Sequence, residues 1–72
     1  MAAPREVPTS GTGIRLGQFL KLADLADTGA DAKALLAEGQ VRVNGAVERR
    51  RGRQLATGDV VALDGGGTAQ VG

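Results

Sequence analysis

The chain is 72 residues long and carries nine basic and eight acidic side chains, so its formal net charge is only +1. Cysteine and histidine are absent, which excludes disulfide bonds, thiolate metal sites and the usual general base near neutral pH. Phe19 is the single aromatic residue, so a platform of rings for base stacking is excluded as well. No apolar run approaches the roughly 20 residues that cross a bilayer, and no signal peptide is evident, so we expect a cytoplasmic protein.

The two ends of the chain differ in composition from its middle. Residues 1–13 contain two prolines and show no apolar periodicity, which predicts a flexible leader. Residues 65–72 are half glycine, which predicts a flexible tail. The folded unit, one small domain with a thin core, is therefore expected to span residues 14–64.

Two helices are predicted at the start of this unit. An apolar stripe at helical spacing predicts a first helix from about residue 16 to residue 25, and its members are Leu16, Phe19, Leu20 and Ala23. Thr28 is typical of an N-cap, with Asp31 as its acidic partner three residues on, and Gly39 is typical of the residue that follows a helix. The second helix between them has an apolar stripe formed by Ala32, Leu35 and Leu36.

After Gly39 the hydrophobic period changes to two, which predicts a strand at residues 41–43 with its valines on one face. Asn44-Gly45 predicts a hairpin, for which two registers are open. A two-residue turn would pair Val43 with Ala46 and place Arg42 beside Val47. A bulged three-residue loop would align Val41 with Val47 on the core face, and we favour this form.

The last predicted strand is the apolar run at residues 60–63, which follows Leu55 and a turn at Gly58-Asp59. Two helices followed by a small antiparallel sheet make an α+β fold.

Positive charge is concentrated in residues 41–53, where five arginines and one acid give a local charge of +4, so the other residues sum to −3. This asymmetry indicates a phosphate-rich partner, with nucleic acid as the first candidate. A guanidinium group can bind two phosphate oxygens at once, and the candidates in the loop between two predicted strands are Arg49, Arg50, Arg51 and Arg53. The alternative interpretation is a solvated loop that protects a sheet edge from self-association.

Three further cations accompany the predicted helices. Lys21 lies away from the apolar stripe of the first helix, so it faces solvent or a partner. Lys33 lies early in the second helix, where the helix dipole favours an acid, which is a weak indication of a functional demand. An ordinary exposed lysine remains the simpler explanation for Lys33 alone, and Arg15 is open to the same two interpretations.

The sequence gives little support for a catalytic, cofactor-binding or metal-binding site. No pair of acids accompanies a base, the Gly65-Gly66-Gly67 run opens no helix, and no calcium-loop spacing is present. We therefore predict neither an enzyme nor a cofactor nor a metal site. DNA reading is disfavoured because the second helix offers Lys33 but no outward arginine, asparagine or glutamine.

Four segments together resemble the S4 RNA-binding domain, and most of all its small bacterial stand-alone members. They are residues 14–20, 28–36, 38–45 and 58–61. The resemblance implies the αL motif, with two helices against a small antiparallel sheet and RNA bound by basic residues of the helix pair and the hairpin. Arg15, Lys33 and Arg42 occupy matching positions, and the arginines at 49–51 and 53 fall in a loop that the stand-alone members keep basic. Gly29 departs from the arginine of many S4 domains, which shifts the expected RNA surface towards the hairpin and loop.

The expected ligand is structured RNA, with ribosomal RNA as a candidate. A domain nearly free of aromatic residues is suited to reading shape and phosphate positions, not splayed bases. We expect a monomer. The principal alternative is a protein-interaction module whose arginines meet an acidic partner surface.

Overall fold

The computed structural model describes residues 4–9 and 13–72, and these residues form two helices and seven strands. The helices are α1 (Leu16–Leu22) and α2 (Gly29–Ala37), and the strands are β1 (Arg5–Val7), β2 (Ile14–Arg15), β3 (Val41–Val43), β4 (Ala46–Val47), β5 (Gln54–Leu55), β6 (Val60–Leu63) and β7 (Thr68–Val71). The prediction of an α+β fold is confirmed. Among the described residues, no helix is long and apolar enough to cross a membrane.

Five of the strands form one sheet in the order β1-β7-β6-β3-β4. All its pairs are antiparallel except β1 with β7, which run parallel. A separate two-stranded ladder joins β2 to β5 and sets Ile14 opposite Leu55. This ladder holds the start of α1 against the chain that precedes β6.

The core lies between the helix pair and one face of the large sheet. The predicted stripe of α1 is fully buried, and α2 contributes Ala32 and Leu36, while Leu35 is only half-buried. Val41 and Val43 are buried with Arg42 exposed between them, as the period of two predicts. Side chains that the sequence places at regular spacing therefore meet in one continuous apolar cluster.

The helix ends follow their capping chemistry. The Thr28 hydroxyl accepts a hydrogen bond from the Asp31 amide at 3.1 Å, which confirms the predicted N-cap. Gly39 has a φ of +71°, as expected for the residue that follows a helix. The first helix is shorter than predicted, because Asp24 adopts a φ of +58° and the amides of Leu25 and Ala26 both turn back to the Leu20 carbonyl.

The hairpin register is the two-residue form, so the favoured bulged loop was wrong. Val43 pairs with Ala46 and Arg42 with Val47. Asn44 and Gly45 both have positive φ, 52° and 87°, which is the geometry of a type I′ turn. The Asn44 side chain secures this turn by accepting from the Val60 amide at 2.9 Å and donating to the Asp59 carboxylate at 3.1 Å.

The two ends of the chain form strands, which corrects the prediction of a flexible leader and tail. β7 lies between β6 and β1, and its alternation buries Ala69 and Val71 while Thr68 remains exposed. Glycine is required just before β7, because Gly66 and Gly67 have φ of +112° and +105°. The folded unit thus extends beyond residues 14–64 at both ends. Residues 1–3 and 10–12 of the expected leader lie outside the described residues.

Two leucines of α1 provide a matched test of the core. Leu20→Ala should lower the free energy of unfolding by about 2–5 kcal/mol, because it leaves a cavity under a fully buried side chain. Leu22→Ala should change it by less than about 0.5 kcal/mol, because Leu22 is 51% exposed. Urea denaturation followed by circular dichroism measures both, and equal losses would contradict the assigned helix face.

The terminal strand gives a second test. Deletion of residues 68–72 should lower the thermal midpoint strongly, because β1 loses its partner and β6 gains an unpaired edge. Thr68→Ser, an exposed change within the same strand, is the control. A truncated chain that melts like the control would show that β7 does not belong to the folded unit.

Candidate functional site

Residues 48–53, which we call the arginine loop, connect β4 to β5 and lie against the first turn of α1. The Leu16 amide donates to the Arg53 carbonyl at 2.8 Å, and the Gly17 amide donates to the Arg51 carbonyl at 3.0 Å. The first amides of a helix have no partner within the helix, so carbonyls from elsewhere can satisfy them. The start of α1 and the arginine loop are therefore joined through their backbones.

Glu48 organises the arginine loop from within. Its side chain accepts from the amides of Arg49 and Arg50 at 3.1 and 3.2 Å. It also pairs with the guanidinium groups of Arg50, at 3.1 Å, and Arg53, at 3.2 Å. These donors, those of Arg50 above all, lower the pKa of Glu48 from 4.5 to about 2. A residue that is only 9% exposed thus pairs with two of the four arginines and offsets one of their positive charges.

The remaining loop arginines, Arg49 and Arg51, lie across glycines. The Arg51 side chain crosses Gly17 of α1, and the Arg49 guanidinium lies over Gly39 at the end of α2. A cation at the C-terminus of a helix is favoured by the helix dipole. Each arginine is thereby directed towards one of the two helices.

Two adjoining grooves contain five of the eight predicted cations. The first is lined by Arg15, Gly17, Gln18, Lys21, Gly29, Ala32 and Arg51. The second is lined by Lys33, Leu36, Ala37, Arg49 and Arg51. Arg51 lines both, so the two grooves meet at its side chain. We call the cations of the two grooves, Arg15, Lys21, Lys33, Arg49 and Arg51, the basic face.

The cations of the basic face are exposed, and within residues 4–9 and 13–72 none of them forms an ion pair. The other three predicted site residues differ in this respect. Arg42 pairs with Asp64 at 2.9 Å and lines neither groove. Arg50 and Arg53 are paired with Glu48, although the Arg50 side chain remains 77% exposed.

Three residues of this site were not among those predicted from sequence. In the sequence, Glu48 was noted only as the one acid in a basic run. Its isolation among arginines is the signal that could have identified it as their partner. Gly17, which lies in α1, showed as a glycine inside a helical pattern, a position that usually has a packing reason. Gly29 was noted as a departure from many S4 domains, and it lines the first groove with open space where a Cβ would be.

Helix α2 separates the basic face from a groove of opposite charge. This acidic groove is lined by Leu25, Ala26, Asp27, Asp31, Ala34, Leu35 and Glu38. On a helix with 3.6 residues per turn, Asp31 and Glu38 face away from Lys33. The small net charge of the chain thus conceals two patches of opposite charge on the two sides of α2. The described residues include no cluster of side chains that could hold a metal ion.

Acid titration tests the role of Glu48. Because its pKa is lower in the folded chain, its stabilising effect is complete above about pH 4.5 and is lost as the pH falls towards about 2. Glu48→Gln should therefore melt below the wild type at pH 7, and the difference should shrink over that range. Asp27→Asn removes an exposed carboxylate outside the arginine loop, so it is the control for the loss of any carboxylate. A difference that is independent of pH would contradict the assignment.

The sequence of the chain is similar to that of known proteins over most of its length. The S4 domain family matches residues 7–72 of the chain. The "Probable ribosome maturation protein RlbA" of Bacillus subtilis (strain 168) is 49% identical over 71 residues, which cover 99% of this chain and 97% of that protein. The "Putative RNA-binding protein YbcJ" of Escherichia coli (strain K12) is 42% identical over 52 residues, which cover 72% of this chain and 74% of that protein. The resemblance found in the sequence is confirmed, and the chain belongs to the S4 domain family.

Proposed function

We propose that this chain is a monomeric RNA-binding module without catalytic activity, that it recognises structured RNA, and that ribosomal RNA is its target. The observation that carries the proposal is the basic face, whose five cations come from β2, α1, α2 and the arginine loop and have no ion pairs among the described residues. Positive side chains arranged in this way neutralise phosphates and release counterions. The names of the two relatives support both the ligand and the ribosomal setting.

The preference for structured RNA rests on what the site lacks. Phe19, the only aromatic residue of the chain, is fully buried in the core. Splayed single-stranded bases are commonly stacked on aromatic rings, which the basic face does not have, whereas folded RNA is read through its shape and its phosphates. The two adjoining grooves hold cations from several segments of the chain, which suits phosphates held in a fixed arrangement.

The eight candidate residues have different roles in this proposal. The basic face makes the main phosphate contacts. Arg50 contributes at the rim, because most of its side chain is exposed despite its pairing with Glu48. Arg53 mainly stabilises the loop, and Arg42 makes at most a distant contact, because it pairs with Asp64 outside both grooves.

Fluorescence anisotropy with a labelled hairpin RNA tests the proposal. Lys21→Gln/Lys33→Gln should weaken binding on the order of tenfold and reduce the salt slope by about 1.5, because two phosphate contacts are lost. Thr57→Glu/Thr68→Glu makes the same change in net charge at exposed positions outside both grooves, and it should bind like the wild type. Equal losses in the two variants would mean that net charge alone governs binding.

Competitors separate the remaining alternatives. Unlabelled ribosomal RNA should displace the hairpin better than an equal mass of single-stranded RNA or duplex DNA. If polyglutamate competed as well as RNA at equal charge, the arginines would be better explained as a surface for an acidic protein. Transfer RNA that matched ribosomal RNA would contradict the ribosomal target while leaving RNA binding intact.

A further inference from the structure

Gly17 occupies a position where its backbone does not require a glycine. It is the second residue of α1, it is buried, and its φ lies outside the left-handed region that favours glycine. Glycine is among the poorest helix formers, so a helical glycine without a conformational demand calls for another reason. A close approach by a neighbouring group is such a reason.

The approaching group is Arg51. A Cβ at residue 17 would overlap Arg51 Cγ and would lie 3.0 Å from Arg51 Cδ. The Gly17 amide also donates to the Arg51 carbonyl, which fixes the backbone of the same residue at the same place. Because Cγ is near the base of the arginine side chain, relief of such a contact requires rotation about χ1 or displacement of the loop. Either movement carries the guanidinium group away from its position.

Arg51 lies at the junction of the two grooves and is the residue that lines both. We propose that Gly17 is a positioning residue for RNA recognition, which holds Arg51 where the two halves of the basic face meet. The inference rests on the proposed function of that face. A side chain at residue 17 would remove no cation from the molecule. By displacing Arg51, it would leave a gap in the basic face between Arg15 and Lys21 in one groove and Lys33 and Arg49 in the other.

Gly29 supplies a matched control within the same groove. It is also helical and lines the first groove, but a Cβ there would meet nothing within 4 Å. Gly17→Ala and Gly29→Ala therefore make the same chemical change at two positions of one groove. Only the first is expected to move an arginine.

The experiment measures hairpin-RNA binding of Gly17→Ala, Gly29→Ala, Arg51→Ala and the double variant Gly17→Ala/Arg51→Ala. Gly17→Ala should lose about as much affinity as Arg51→Ala, on the order of tenfold, and its salt slope should fall by nearly one. Gly29→Ala moves no arginine, so it should lose less affinity than Gly17→Ala and should keep the salt slope of the wild type. The double variant should bind like Arg51→Ala, because without that side chain residue 17 has nothing to position. Wild-type binding by Gly17→Ala, or a loss that adds fully to that of Arg51→Ala, would overturn the inference.

A readout without RNA separates this inference from the proposed function. In nitrogen-15 NMR spectra, the Arg51 Nε–H resonance should shift in Gly17→Ala and stay in place in Gly29→Ala. An unshifted Arg51 resonance overturns the inference, whereas a shifted one in a protein that binds no RNA overturns the proposed function alone. If Gly17→Ala melts early, recovery of stability in the double variant would identify the Arg51 contact as the cause. Failure to recover would count against it.

Discussion

The structure depends on the contact between the first turn of α1 and the arginine loop. Two helix amides, those of Leu16 and Gly17, donate hydrogen bonds to loop carbonyls, so the helix start and the loop satisfy each other's backbone groups. The ladder between β2 and β5 leads directly into this contact, because its last pair, Arg15 with Gln54, adjoins Leu16 and Arg53. The composition of the arginine loop predicts a solvated surface loop. These contacts instead fix the loop to the start of α1.

Four arginines within five residues would repel one another if they were all unpaired. The buried Glu48 reduces this repulsion by pairing with Arg50 and Arg53, and its contacts with two loop amides hold the backbone in a single course. The arginines left unpaired are those that cross Gly17 and Gly39 towards the helices. Two arginines of the loop thus stabilise the loop itself, and the other two contribute positive charge to its exposed surface.

Local patterns predicted the elements whose determinants are close together in sequence. The Thr28 cap, the end of α2 at Gly39 and the alternation of β3 depend on neighbouring residues, and the structure has all three. The hairpin register was missed because the choice between two turns depends on Asn44 and its contacts with Asp59 and Val60, about 15 residues away. The pairing of β1 with β7 joins the two ends of the chain, and the adjacent glycines concealed the short alternation of β7.

The same limit applies to the candidate site. The cations themselves were evident from composition, but which of them remain unpaired depends on Glu48 and Asp64, whose partners only the fold identifies. The role of Gly17 depends on a residue 34 positions away in the sequence, and no local pattern could reveal it.

The separation of charge across α2 determines how the molecule approaches a polyanion. A helix with its side chains is about 10 Å in diameter, and the Debye length at physiological salt is about 8 Å. A phosphate at the basic face is therefore attracted by the near cations while the far acids, Asp31 and Glu38 among them, are largely screened from it. On the proposed function, unequal forces on the two sides would exert a torque that turns the basic face towards the phosphates within about a Debye length of contact. A chain with almost no net charge would be oriented in this way, and its acidic side would repel a second strand.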